Sequence, residues 1–365
     1  MIKDNHTLNE FMAEGIKRLI GNVMTLTLTN PKMTLYLLRM QKILSRAREK
    51  REYYEKKGIH VPVFLISSIT ENCNLFCNGC YARSNGICGS GESSGPMLSV
   101  TEWERIFAEA VDMGITFNIL AGGEPLMRKE VIECAAKVRD MIFPIFTNGT
   151  LINEEYMKLF AQNPNLIPVI SMEGFERETD QRRGEGIYSK LLDTMLIFHQ
   201  KKLVYGASVT VTSDNLRTVT SDSFIDLLRK SGCKLLFYIE YVPVEKGSDH
   251  LVLSDRDKKL LENILKHHKD HYKDILFLSF PGDEQYMGGC LAAGRGFFHI
   301  NANGDAEACP FSPFSDRNLA KHRFQEVLQS PFFSRLREAE LVGGEHHGGC
   351  VLFEKEEQVK KLLSS

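Results

Sequence analysis

The sequence predicts an α/β fold built on a parallel sheet, and three observations carry this. Strand-like and helix-like stretches alternate from residue 61 onward, short polar motifs follow the strand-like text, and the texture changes near Pro281. Strands alternating with helices imply parallel pairing, and in such sheets functional groups collect at the carboxyl ends of the strands.

Residues 32–57 are basic and strongly helix-forming, with apolar residues crowded into the first half. The plain expectation is a helix packed on the main domain. A basic amphipathic helix can also lie on an anionic membrane surface or a partner, although Glu49, Glu52 and Glu55 dilute its charge. Residues 61–70 begin the alternation as a strand, followed by a helix over 99–114 opened by Ser99 and Glu102 at capping-box spacing. ITFNILA, helix 129–140, IFPIFTN, helix 153–162 and LIPVISM continue it, then helix 188–202, ASVTVT, helix 218–231, KLLFYIEYVPV and helix 254–270, making six βα units. From Pro281, glycines, a short hairpin and cysteines replace the regular units. The expected division is therefore an N-terminal helical segment over 1–60, a main domain over 61–280 and a smaller one over 281–365.

With 365 residues, 43% hydrophobic and 25% charged, the chain can bury a core of this size. A formal net charge of -2 supplies no global basic field, so nucleic acid is not the expected partner. The opening MIKDNHTLNEF lacks the pattern of an export signal, and no stretch offers the roughly 18 uninterrupted apolar residues of a membrane span. The expected location is cytoplasmic. An odd count of nine cysteines then argues for reduced thiols and metal ligation rather than a disulfide framework. Cys134 and Cys233, lying singly in regular text, are expected to be core fillers.

Directly after the first strand, CNLFCNGCY spans residues 73–81 and places Cys73, Cys77 and Cys80 on one loop. Three soft thiolates this close suit three corners of an iron-sulfur cubane and leave the fourth iron without a cysteine. Structural zinc is the competing interpretation, but it normally takes a fourth protein ligand. Cys88 can close the set in principle; its distance across a Ser/Gly-rich loop favours a mobile free thiol.

This Cys-x3-Cys-x2-Cys-aromatic run resembles the signature of the radical S-adenosylmethionine (SAM) superfamily, and further motifs arrive in that family's order. The resemblance implies a partial (β/α)6 TIM-type barrel. It also implies a 4Fe-4S cluster on Cys73, Cys77 and Cys80 whose open iron is chelated by SAM, with the Tyr81 backbone near the adenine. An electron passed through the cluster then releases methionine and a 5′-deoxyadenosyl radical. Gly122-Gly123-Glu124-Pro125 resembles the motif that receives the SAM amino group, where glycine permits close approach and a carboxylate suits an ammonium. Thr147-Asn148-Gly149 resembles the family's TNG, and its plain alternative is a turn. Ser171-Met172-Glu173-Gly174 makes Ser171 and Glu173 candidates for SAM ribose or carboxylate contacts, with Glu where relatives more often carry Asp. Arg183 matches an arginine able to pair with the SAM carboxylate, and Thr210 and Thr212 end the fifth strand.

Cys290, Gly304 and Cys309, with Cys350 downstream, resemble the twitch module, the shortened SPASM extension that carries an auxiliary cluster. The resemblance implies a second 4Fe-4S cluster on these three cysteines. With one ligand missing, it either binds substrate or takes a fourth donor such as Glu345, His346 or His347. His267, His268 and His271 are expected on an exposed helix face.

The function so implied is a redox enzyme that abstracts hydrogen from a small molecule or cofactor precursor, its electrons supplied by a flavodoxin- or ferredoxin-type donor. Peptide or protein side-chain modification is the alternative within the class, and a non-enzymatic iron-sulfur or zinc scaffold or sensor the alternative outside it. The motifs name no residue that acts on the substrate.

Overall fold

The computed structural model describes residues 31–86, 88, 95–342 and 350–364. The helical expectation for residues 1–30 and the candidate ligands Glu345, His346 and His347 lie outside them.

Nine strands form one sheet in the order β7-β6-β5-β4-β3-β2-β1-β8-β9. They are β1 (Phe64–Ser68), β2 (Phe117–Ala121), β3 (Phe143–Thr147), β4 (Leu166–Ser171), β5 (Gly206–Val211), β6 (Leu235–Glu240), β7 (Leu276–Phe280), β8 (His299–Ile300) and β9 (Ala306–Glu307). From β1 to β7 every neighbouring pair is parallel, β8 runs parallel to β1, and β9 returns antiparallel. The result is the expected α/β architecture, a curled partial barrel. It extends the six βα units by β7, whose five residues sit between a helix and Pro281 and pair Leu276 with Leu235. The C-terminal segment joins the same sheet through β8, and Phe298, Phe324, Phe332 and Phe333 share the barrel's main hydrophobic core.

Local chemistry sets the helix ends. Helix α1 spans Pro31–Glu55 and α2 spans Val100–Met113. In α2 the capping box forms as expected: Ser99 Oγ accepts from Glu102 N, and Glu102 Oε2 accepts from Ser99 N. Asn153 caps α4 (Glu154–Gln162), which follows α3 (Lys129–Lys137). Next come α5 (Glu176–Arg183) and α6 (Ile187–Gln200). The helix expected over 218–231 is interrupted: a single turn, Leu216–Val219, precedes α7 (Asp222–Lys230), because Ser221 Oγ accepts from Phe224 N and starts a new helix. Ser254 caps α8 (Asp255–His271).

Helix α1 lies across the amino ends of the strands. Met33, Tyr36, Leu37, Met40 and Ile43 pack there with Ile142, Ile167, Val204 and Leu235, which assigns most of its apolar residues to the barrel base, as the plain expectation held. Leu35 and Leu38 face outward. Among the described residues no helix is long and apolar enough to cross a membrane. Cys134 and Cys233 are core fillers, but the histidine expectation needs correction. His267 and His271 are exposed, whereas His268 is buried against Tyr272 and Phe277 because it continues the inward face of Leu261 and Leu265.

Candidate active site

With α1 covering the base, the opposite end of the sheet opens into a cavity of about 290 Å³. The loop after β1 brings Cys73, Cys77, Cys80 and Tyr81 to its wall, and the loop after β2 brings Gly122, Gly123 and Glu124. Asn148 follows β3; Ser171 and Arg183 come from β4 and its continuation; Thr210 lies on β5. Cys290, Cys309 and Cys350 complete the wall from the C-terminal segment, so both cysteine triads face one space.

Backbone approach explains the double glycine. A Cβ on Gly122 would fall 2.4 Å from the Thr70 carbonyl oxygen, and one on Gly123 would fall 2.1 Å from that of Asn72. The close contact is reinforced by hydrogen bonds from Gly123 N to Thr70 O (2.8 Å) and from Glu124 N to Asn72 O (2.7 Å). Glu124 is 1% exposed and accepts from Thr147 Oγ1 (2.7 Å), Asn148 N (2.7 Å) and Leu126 N (3.0 Å). The GGEP and TNG motifs thus form one bonded unit. Burial pushes the Glu124 carboxyl up to about 7, against the pull of those donors.

Two predicted residues lie behind the wall rather than on it. Pro125 is buried in the turn Pro125–Met127. Glu173, 1% exposed, accepts from Arg183 Nε (3.0 Å), Arg182 Nη1 (3.2 Å) and the Thr210 backbone N–H (3.1 Å). Its carboxylate therefore anchors two arginines of the cavity wall. Ser171 Oγ pairs with Ser208 Oγ at 3.0 Å, and Thr212 is buried with its N–H on Asn215 Oδ1.

Cys88 is a free thiol, as expected, but it is packed against the first cysteine loop. It is 2% exposed and its thiol donates to the Cys73 sulfur, which brings the Cys73 thiol down to about 6. The backbone accounts for this, since Cys88 N donates to Ala82 O (2.9 Å) and folds the chain back onto the cysteine loop. In the second triad, Cys309 lies beside Cys350, and burial raises the Cys290 thiol. Tyr81 meets Phe311 edge-on at 5.1 Å, directly linking the first loop to the residues after Cys309.

Sequence reasoning missed Arg182, Glu240 and Glu284 on the wall. Glu240 ends β6, where the strand-end rule would have flagged it, and Glu284 lies six residues before Cys290. Among the described residues no three His, Cys, Asp or Glu side chains are placed to hold a single metal ion. The cysteines instead line one cavity from two segments of the chain.

Residues 67–231 match the radical SAM superfamily model. It is 26% identical over 314 residues to the AdoMet-dependent heme synthase of Methanosarcina barkeri (strain Fusaro / DSM 804), covering 78% of this chain and 87% of that protein. It is also 24% identical over 266 residues to the PqqA peptide cyclase of Granulibacter bethesdensis (strain ATCC BAA-1260 / CGDNIH1), covering 69% and 68%. The fold resembles Streptococcus suis SuiB crystallised with S-adenosylmethionine, with a TM-score of 0.65 at 18% identity over 80% of this chain and 72% of that one.

Proposed function

We propose that the chain is a radical SAM enzyme acting on a small molecule or cofactor precursor, with Cys73, Cys77 and Cys80 holding the SAM-binding 4Fe-4S cluster and Cys290, Cys309 and Cys350 an auxiliary one. The observation that carries this reading is one cavity lined by both cysteine triads.

The donor set fits such clusters. Soft thiols are the ligands iron-sulfur centres take, and a cubane presents its irons at separate corners, so its ligands need not converge on one point. Bound SAM, reduced by one electron through the cluster, supplies a 5′-deoxyadenosyl radical that abstracts hydrogen. The chain's own residues bind, orient and shield. Gly122 and Gly123 allow the backbone after β2 to close on the cysteine loop, and Glu124 offers a carboxylate for the SAM ammonium. Arg183, fixed by Glu173, stands ready for the SAM carboxylate, while Ser171 and Thr210 offer polar contacts on the same wall. Ile66, Ile119, Phe146, Ile239, Phe280 and Phe297 supply apolar wall that excludes water and suits a substrate with an apolar body.

Similarity to a peptide cyclase supports a second reading, in which the substrate is a peptide side chain. The test is anaerobic reconstitution, iron and sulfide counting, then dithionite reduction with SAM and chromatography for 5′-deoxyadenosine. About eight irons with deoxyadenosine support the proposal. Zinc, or iron without SAM cleavage, returns the chain to the scaffold or sensor class. Cys73→Ala with Cys77→Ala and Cys80→Ala is expected to abolish cleavage and keep about half the iron.

A further inference from the structure

We infer that Glu284 is the fourth protein ligand of the auxiliary cluster, bonding through its side-chain carboxylate to the iron that Cys290, Cys309 and Cys350 leave open. The inference rests on the reading that this triad holds a 4Fe-4S cluster, and it fills the place that the sequence left to Glu345, His346 or His347.

Four donors meet at this end of the cavity. Glu284 is 5% exposed and lines the cavity together with the three cysteines. It lies close enough to Cys290 and Cys350 for its charge to bear on both thiols, and Cys309 lies beside Cys350. One carboxylate and three thiols therefore border the same end of the cavity. A buried carboxylate is costly unless hydrogen bonds or a cation offset it, and an iron centre is such a cation.

The segment is also built to keep Glu284 and Cys290 in register. Gly289 N donates to Glu284 O at 3.1 Å, and Glu284 N donates to Pro281 O at 2.8 Å. Arg295 clamps the same turn from below, with Nη1 on Gly289 O (2.9 Å) and Cys290 O (3.1 Å) and Nη2 on Met287 O. Glu240, at the end of β6, is a neighbouring carboxylate on the cavity wall whose charge also acts on Glu284. On ligation the carboxyl proton leaves to solvent as one Fe–O bond forms, with no change in oxidation state.

The test uses the full chain carrying Cys73→Ala, Cys77→Ala and Cys80→Ala, so that only the second site loads. The protein is reconstituted anaerobically with iron and sulfide and followed by iron counting, Mössbauer and EPR spectroscopy before and after mild oxidation. The parent is expected to hold about four irons and to keep them. Glu284→Gln is expected to lose about one iron in four on oxidation and to develop the EPR signal of a three-iron cluster. Glu284→Cys is expected to keep all its iron with the Mössbauer parameters of a fully thiolate-ligated centre. If Glu284→Gln does not fold, Glu284→Cys decides alone, because unchanged Mössbauer parameters overturn the assignment. Spectra identical in parent, Glu284→Gln and Glu284→Cys also overturn it, as does iron loss in Glu240→Gln but not in Glu284→Gln. A parent that binds no iron sinks the auxiliary-cluster reading and this ligand with it, whereas a loaded parent indifferent to Glu284 sinks only the ligand.

Discussion

His299 Nδ1 stands 2.6 Å from Glu307 Oε2 across the β8–β9 hairpin, and the Nε2 of the same ring stands 2.8 Å from Ser68 Oγ at the end of β1. All three side chains are buried, and Asn301 Nδ2 donates to the other Glu307 oxygen at 2.7 Å. These bonds tie the end of β1, which leads into the loop of the first cysteine triad, to the hairpin that precedes Cys309. His299→Leu strands a buried hydroxyl and a buried carboxylate at once. The expected loss is about 3 kcal/mol in urea unfolding with an unchanged m-value, against about 1 kcal/mol for Ser68→Ala. Equal effects from the two variants would show that Glu307 does not depend on the ring.

Gly123→Ala is expected to damage the first cluster site more than its single methyl suggests. The added Cβ would meet the Asn72 carbonyl oxygen at 2.1 Å and the Cys73 nitrogen at 3.0 Å, and both atoms are backbone of the cysteine loop. Separating the two loops there costs roughly 1–3 kcal/mol and withdraws the cysteine loop from Glu124. Iron content of the first site and SAM affinity in equilibrium dialysis should both fall, with the second site's iron retained. Normal SAM affinity in a loaded Gly123→Ala protein would refute this role for the close approach.

What the sequence made legible here is what depends on local spacing. The cysteine loop, the GGEP turn and the Ser99 capping box each lie within a few residues, so their chemistry is written in order along the chain. The alternation likewise announced six of the parallel strands, while β7 hid as five residues between a helix and a proline. Glu240 was legible as a strand-end residue, but Glu284 and His299 were not, because they gain their neighbours only when the sheet curls and the C-terminal segment pairs β8 with β1. Cys88 shows the same limit at short range: fifteen residues from Cys73, it reaches that thiol through a backbone hydrogen bond to Ala82 that no spacing rule anticipates. His268 is different, since Leu261, Leu265 and His268 already follow the helical period of an inward face.

That burial gives His268 a pH signature. Desolvation lowers its pKa from the ordinary 6.5, against Asp222 on α7, which raises it, and alongside His267 and His271 on α8, which lower it further. As pH falls, the unfolded chain takes up the proton before the folded one does. The stability contribution is therefore complete above 6.5 and is lost as pH falls toward the depressed folded pKa. His268→Phe, which can pack on Tyr272 and Phe277, removes this term. Urea midpoints of wild type and variant should diverge between pH 7.5 and 5.5, with the wild type falling faster. Parallel profiles would mean that Asp222 offsets the burial.

The Glu173 site makes the last test, because one buried carboxylate holds two arginines of the cavity wall. Arg183 contacts Glu173 Oε1 through Nε and Nη2, and Arg182 contacts Oε2 while its Nε donates to Asn78 O between Cys77 and Cys80. Arg183→Met leaves the carboxylate partly uncompensated and should cost roughly 3 kcal/mol. Glu173→Gln leaves two cations crowded without their anion and should cost a similar amount. The double variant removes the charge and its main partner together, so its cost should fall short of the sum by at least about 1 kcal/mol. SAM affinity distinguishes support from contact: Glu173→Gln should weaken binding by letting both arginines drift, and Arg183→Lys should restore stability better than it restores binding, because an ammonium lacks the planar fork that grips a carboxylate. Additive stability losses, or wild-type SAM affinity in Glu173→Gln, would detach this ion-pair cluster from the SAM site.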